Sequence, residues 1–403
     1  MPKLLQINSV VNSGSTGRIA EEIGQTAISN GWRSYIAYGR NERPSESKLI
    51  RIGTDWNVKM HGLQTRLFDR HGLGSKIVTE NLVQQIEQIK PDIIHLHNLH
   101  GYYLNIEVLF NYLSKAGVPV VWTLHDCWSI TGHCSHFDFI GCEKWKTECF
   151  RCPQKKEYPA SFLMDRSKEN YILKKKLFTS VDNLTLVPVS NWLANILKES
   201  FLKNTPVKVI HNGINTDVFQ PTSGHAIHTK YKLKNKFIIL GVASVWSPRK
   251  GLKDFIELSK KPNSDLQIIL VGLSKKQIKE LPENIIGIER TESIFELAQL
   301  YSISDVYVNP TYEDNFPTTN LESIACGTPV ITYETGGSSE AIDENTGIVV
   351  KKGDINDLVI AINQIKEKGK AFYTNACIKR ANQFYKKEER YHEYIDLYNS
   401  LLK

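Results

Sequence analysis

Apolar residues along this chain follow two patterns. Short unbroken runs, such as residues 3–8 (KLLQIN) and 34–39 (SYIAYG), predict strands buried on both faces. Longer segments place apolar residues every three or four positions. Residues 17–31 (GRIAEEIGQTAISNG) predict a helix closed by Gly31. The phrase then repeats. LVQQIEQIKPDIIHLHN predicts a helix stopped near Pro91 and a strand ending at His95 to Asn98. VLFNYLSKAGVPVVWTLHD predicts a helix, a break at Gly117 and Pro119, a strand, and then His125-Asp126. NLTLVPVSNWLANIL, residues 183–197, resumes the rhythm after an interruption. Strand–helix alternation with continuous apolar strands predicts parallel sheets covered on both faces.

A polar stretch near HNGINTDVFQPTSGH predicts a linker at about residues 213–230. A second set follows: KFIILGVAS, GLKDFIELSKK, LQIILVG, SIFELAQLYSIS, DVYVNPT, a helix within residues 313–330, PVITY and TGIVV, before a charged helical tail from residue 354. The reading is therefore α/β with two doubly wound parallel-sheet domains facing a cleft. Residues 1–212 form the first domain, with an insertion rich in Cys, His and aromatics at 127–159. Residues 213–385 form the second, and 386–403 form a C-terminal helix packing back on the first. A length of 403 residues is too great for one ordinary core and agrees with that division.

Composition adds limits. A hydrophobic content of 41% and a charged content of 23% describe a soluble globular protein. The net charge of +7 is mildly basic. That is too little for a dedicated nucleic-acid binder, but it admits an anionic membrane surface or phosphorylated substrates. The densest basic cluster, YILKKKLF at 171–178, reads as a solvated helix face. MPKLLQINSVV does not read as a signal peptide, and no stretch approaches a membrane span. A cytoplasmic protein, peripheral on the inner face of the membrane, is expected.

Polar clusters fall at the predicted strand exits, where ligands of such sheets bind. NSGSTGRI (12–19) opens the first helix, and Gly14 and Gly17 permit close backbone approach to an anion. It lacks the Gly-x-Gly-x-x-Gly dinucleotide spacing. ASVWSPRKGL (243–252) sets Arg249 and Lys250 before a helix, which suits a diphosphate, though surface charge beside a turn remains an alternative. In EDNFPTTNLESIACGTPV (313–330), Asp314 and Glu322 lie eight apart, two turns if both are helical. They could address two ends of one ligand through sugar hydroxyls, or simply favour the helix dipole.

Together these stretches resemble the retaining glycosyltransferases of the GT-B fold, specifically glycosyltransferase family 4. The carrying residues are Arg249-Lys250-Gly251, DNFPTTNLESIACGTPVI at 314–331, ETGGSSEAI at 334–342, HNGINTDVF at 211–219, NSGSTGR at 12–18 and LHD at 124–126. The resemblance implies that Arg249 and Lys250 hold the diphosphate of a nucleotide-diphosphate sugar. It implies that Glu322 binds the ribose and Asp314 meets the donor sugar, with His125 nearby as a catalytic-site residue. Ser244, Asn315, Phe316, Pro317, Thr318 and Leu321 would line the donor together with Gly14 and Gly17. Ser15, Thr16, Arg18, His97 and Asp126 would serve a saccharide or lipid-linked acceptor. The family has Glu where this chain has Asp314, which bears on the donor sugar. No cofactor is expected for catalysis and no nucleic acid as partner. A bacterial surface or extracellular polysaccharide is the expected product. Other readings are a GT-B epimerase or phosphorylase, or a zinc-stabilised binding protein with an inactive site.

Cys134, Cys142, Cys149 and Cys152 fall within nineteen residues, and only the last pair forms a CxxC. In a reducing compartment, close thiols suggest a tetrahedral structural zinc, with His133 and His136 as alternative ligands. Packed thiols or a redox pair are the other readings. Cys127 and Cys326 read as ordinary packed thiols.

Overall fold

The protein is seen here in a computed structural model that describes residues 1–231, 233, 236–261 and 265–403. Residues 232, 234–235 and 262–264, within the span assigned above to the second domain, lie outside the described residues. The chain divides into two compact units. One comprises Met1–His211 with Glu388–Lys403, the other Asn212–Lys387.

The first unit is built on β1 (Lys3–Val10), β2 (Arg33–Arg40), β3 (Lys48–Arg51), β4 (Ile93–Leu96), β5 (Val120–Leu124) and β6 (Leu184–Pro188). They form one six-stranded sheet in the order β3-β2-β1-β4-β5-β6. Every pairing is parallel, with Leu5 opposite Tyr35 on one side and Ile94 on the other. Side chains alternate between faces, so the unbroken apolar run of β1 feeds two cores. Leu5 and Ile7 join Leu96, Phe110, Trp122 and Phe178. Leu4 joins Ile19, Ile23, Trp32 and Ile93, and this face is closed by Tyr391, Tyr394 and Tyr398 of the helix Lys387–Leu401. That helix is tied down by polar contacts as well, since Tyr398 Oη lies 2.6 Å from His95 Nδ1.

The second unit repeats the plan with β7 (Phe237–Val242), β8 (Leu266–Val271), β9 (Ile285–Ile288), β10 (Val306–Asn309), β11 (Val330–Tyr333) and β12 (Gly347–Val350). Its order is β12-β11-β10-β7-β8-β9, again all parallel. In each sheet the first and fourth strands are neighbours and the winding reverses between them. The carboxyl ends of β1 with β4, and of β7 with β10, are therefore the places where an open α/β sheet leaves a crevice.

Three local readings change. The first helix spans Gly14–Ser29, so it begins three residues before the expected start at Gly17 and takes in Gly14, Ser15 and Thr16. The basic run at 171–178 is not uniformly solvated. Lys175 and Lys176 are exposed, but Lys174 is buried, donating to the carbonyls of Trp128 and Thr131 at 2.7 and 3.0 Å. A helix at Asp55–Phe68 went unread because its pattern is inverted. It turns His61, Gly62 and Thr65 inward and leaves Trp56, Met60 and Leu63 exposed.

Candidate functional site

In the second unit the loops after β7 and β10 are locked together. Pro248–Lys250 forms a single 3₁₀ turn ending at Gly251, and the helix Leu252–Ser259 follows. Gly251 has φ +76°, and a Cβ there would stand 2.2 Å from the carbonyl oxygen of Pro310, so only glycine lets the loops approach this closely. The Tyr312 amide donates to Arg249 O at 2.7 Å, and Arg249 Nη1 donates to Glu313 O at 2.8 Å. Lys250 Nζ forms an ion pair with Asp314 Oδ2. The dipeptide and the first acid are therefore brought together at the strand ends where the winding reverses. Ser244 is exposed at the exit of β7.

The second acid is placed differently from the two-turn spacing read above. The helix spans only Thr318–Ala325, so Asp314 belongs to the loop before it and Glu322 alone is helical. Pro317 is the N-cap, no side chain caps the helix and no acid stands in its first turn, so these carboxylates are not capping groups. Glu322 is buried, and Tyr301 Oη donates to its Oε2 at 2.9 Å. Asn320 braces the loop: it accepts from Asn309 Nδ2 at 2.8 Å and donates to Ser338 O at 2.9 Å. Asn315, Phe316 and Pro317 are buried and Thr318 is partly exposed. Leu321, read as a donor contact, is fully buried and packs the helix instead.

In the first unit, β4 and β5 end in a histidine cluster. Gln6 Nε2 donates to Ala20 O at 2.8 Å, which turns its Oε1 toward His97 Nε2 at 3.0 Å. His97 Nε2 is then the donor, and its Nδ1 accepts from His125 Nε2 at 3.2 Å. Burial pulls the His125 pKa down to about 4, against the opposing charge of Asp126. Burial likewise holds His97 well below the ordinary value. Both rings are neutral near pH 7. His97 was read as an acceptor contact, but it is buried with both nitrogens engaged and orients His125. Asp126 Oδ2 meets His100 Nε2 at 2.6 Å, and its Oδ1 accepts from the Trp128 amide at 2.9 Å. Burial alone would raise the Asp126 carboxyl, yet the charge and hydrogen bond of His100 hold it well below the usual range. His97, His100, His125 and Asp126 line one small cavity with Trp122 and Trp128.

At the amino end, Gly17 is the tight position, because a Cβ there would lie 2.9 Å from Val10 Cγ2. Gly14 and Ser15 are exposed, and Thr16 and Arg18 partly so. Cys127 and Cys326 are buried. Among the described residues, no three His, Cys, Asp or Glu side chains stand as they lie in position to hold a metal ion. Also among the described residues, no helix is long and apolar enough to cross a membrane.

Residues 16–218 match the family model described as Glycosyltransferase Family 4, half of the chain. The chain belongs to glycosyltransferase family 4. Residues 225–387 of this family 4 glycosyltransferase match a second model, Glycosyl transferases group 1. A relative from Escherichia coli (strain K12), "Putative colanic acid biosynthesis glycosyl transferase WcaC", is 24% identical over 99% of this chain and 100% of its own. Among solved structures, sucrose-phosphate synthase from Thermosynechococcus elongatus aligns with a TM-score of 0.74 at 18% identity, covering 100% of this chain and 99% of that one. Anabaena Alr3699/HepE in complex with UDP-glucose aligns with a TM-score of 0.70 at 15% identity, covering 99% of each chain. The fold is GT-B, with two Rossmann-like units.

Tyr301, Asn320, Gln6 and His100 were not singled out in the sequence. For His100 a signal exists, since HLHNLH spaces three histidines within six residues at a strand exit. For Tyr301, twenty-one residues before its partner on another helix, none does.

Proposed function

We propose that the protein transfers a sugar from a nucleotide-diphosphate sugar to a hydroxyl of a lipid-linked saccharide, with retention at the anomeric carbon, in assembling a bacterial surface or extracellular polysaccharide. The observation that carries this reading is the joining of Arg249, Lys250 and Asp314 where β7 and β10 end, within a family 4 chain. The full-length likeness to a relative named for colanic acid biosynthesis supports the polysaccharide assignment. The likeness to a fold that holds UDP-glucose in HepE supports the donor class.

The chemistry follows from charge. As the anomeric C–O bond breaks, negative charge grows on the departing phosphate. Arg249 and Lys250 would offset it, and preorganised donors of this kind contribute most where charge develops. Lys250 has three N–H donors, one of which is committed to Asp314. Asp314 would then lie between the cation and the sugar, accepting from its hydroxyls. Glu322, steadied by Tyr301, would accept from the ribose. His125 is neutral, so its role is to hydrogen-bond the sugar rather than to supply a proton. The acceptor hydroxyl attacks from the leaving-group face and its proton passes to the phosphate. Peripheral attachment to the inner face of the membrane is part of this reading. It is supported by the apolar side chains that the helix Asp55–Phe68 leaves exposed.

A thermal-shift panel of nucleotide sugars tests it. One UDP- or GDP-sugar is expected to stabilise the protein, by about 2.7 kcal/mol at a hundredfold excess over Kd. Arg249→Ala and Glu322→Gln should remove the shift. If no nucleotide sugar stabilises the chain, the donor assignment is wrong. If an epimerised sugar is released without an acceptor, the transferase assignment is wrong.

A further inference from the structure

The insertion contains a cluster that sugar transfer does not use. Cys134, Cys142, Cys149, Cys152 and His133 line one small cavity of about 20 Å³, with Phe137 and Trp145 among its walls. The two aromatic rings stack with centroids 4.9 Å apart, and Trp145 is buried. The Cys134 and Cys152 thiols are hydrogen-bonded to each other, and the seven cysteines of the chain are free. The cavity holds the volume of a single small occupant.

A second observation is independent of the sulfurs. The His133 side chain is fully buried, with Nδ1 at 2.5 Å from Asp69 Oδ1, while its Nε2 is buried with no hydrogen-bond partner. Asp69 is itself fixed, its Oδ2 accepting from the Arg166 amide at 2.7 Å and its carbonyl from Asn170 Nδ2 at 2.9 Å. Leaving a buried polar nitrogen unsatisfied is destabilising. His133 lines the same cavity as the four cysteines, and a carboxylate that fixes one imidazole nitrogen there is the kind of restraint proteins build around a metal centre. The backbone is also drawn in tightly. A Cβ on Gly132 would stand 1.9 Å from Ser167 O and 2.9 Å from Cys149 Cβ. The Cys152 amide is pinned to Asp165 Oδ2 at 2.7 Å. Packing thiols into an apolar loop explains none of these restraints, and a redox pair would need only two sulfurs.

We propose that this cavity is a structural site for a zinc-class cation, bound by the thiolates of Cys134, Cys142, Cys149 and Cys152, with the Asp69-held His133 donating Nε2–H to a sulfur. As the side chains lie, the Cys134–Cys152 hydrogen bond holds two sulfurs to each other instead of to a common centre. On binding, four S–H bonds break and four metal–sulfur bonds form; one proton moves to His133 Nε2, whose Nδ1–H is already given to Asp69, and three pass to solvent, with no change of oxidation state. Thiolates select zinc over magnesium or calcium, and a closed set of four gives a structural centre without an open catalytic position.

The test uses the full chain, expressed with zinc and purified without chelator or metal-affinity tag. Elemental analysis should find about one zinc per chain, as a four-thiolate site holds. Cys142→Ser and Cys149→Ser should each lower the content at least about tenfold, while Cys326→Ser, which does not line the cavity, keeps it. His133→Gln should retain zinc but release it to a chelator about 10–100-fold more readily. Should the serine variants fail to fold, titrating the wild-type protein with a mercurial gives the same answer, with zinc leaving in step with four thiols. Protein carrying less than about a tenth of an atom per chain overturns the site. So does full zinc retention in both serine variants, and unchanged release from His133→Gln overturns the role given to that ring.

Discussion

At the scale of single residues, Asp314 separates stability from function. Its ion pair with Lys250 joins side chains 19% and 22% exposed. A pair so open to water contributes at most about 1 kcal/mol. Asp314→Asn is therefore expected to change the melting temperature by only about 2–4 °C. If the carboxylate meets the donor sugar, the same change should lower kcat/KM about 100-fold or more. Activity within tenfold of wild type would reduce Asp314 to a structural partner of Lys250. Gly251→Ala tests the neighbouring loop in the opposite way. Its positive φ and the close Pro310 carbonyl predict a loss of about 2 kcal/mol, with weaker donor binding, read by melting and by donor KM. The residue types at this site were legible, and the helix start could have been. Pro317 disfavours helical geometry at Phe316, which cuts the helix short of Asp314. The Tyr301–Glu322 bond was not legible, because no local pattern records which distant helix supplies a buried partner.

Among the elements, ten of the twelve strands were legible as apolar runs. The exceptions, β3 and β9, are four-residue strands at the sheet edges, where only one side needs a partner. The helix Asp55–Phe68 was illegible for a more informative reason. Its packed face is small and polar, and its apolar stripe, Trp56, Met60 and Leu63, points to solvent. The amide of Phe162 donates to Arg66 O at 2.7 Å and that of Met164 to Leu67 O at 3.3 Å, which sets exposed Phe162, Leu163 and Met164 at the end of the same helix. Lys59 and Arg66 are exposed on this helix. An apolar strip with basic neighbours is the pattern of a surface-bound helix. Co-sedimentation should show binding to vesicles with about 30% anionic lipid and little to neutral ones, falling as salt shortens the Debye length. Combined Trp56→Ser, Met60→Ser and Leu63→Ser should cut that binding at least about tenfold while each change leaves stability within about 0.5 kcal/mol. Equal binding by the triple variant would clear this helix of a membrane role.

For the molecule as a whole, the two sheets share one winding order but not one electrostatic character. Buried histidines gather in the unit formed by Met1–His211 and Glu388–Lys403. Burial pulls His61 and His125 down to about 4 and holds His71, His95 and His97 well below the ordinary value. A histidine neutral in the fold but ordinary when unfolded takes up a proton on unfolding once the pH drops below its unfolded pKa. The stability it protects is complete above about pH 6.5 and is lost as the pH falls toward 4, at up to about 1.4 kcal/mol per unit for each ring. All five rings act in the same direction, so acidification toward pH 5 removes stability from this unit. In the unit Asn212–Lys387, burial raises the carboxyls of Asp254 and Asp305. These act with the opposite sign, since the folded state then holds protons more tightly than the unfolded chain. Acidification from pH 7 to 5 should therefore loosen the first unit ahead of the second. Six of the seven tryptophans, all but Trp246, belong to the first unit, so their emission reports mainly on it. A red shift in tryptophan emission with a midpoint above pH 4.5, ahead of the loss of helical circular dichroism, is the expected result. Coincident transitions, or a melting temperature flat between pH 7 and 5, would show that these rings are not held neutral by the fold.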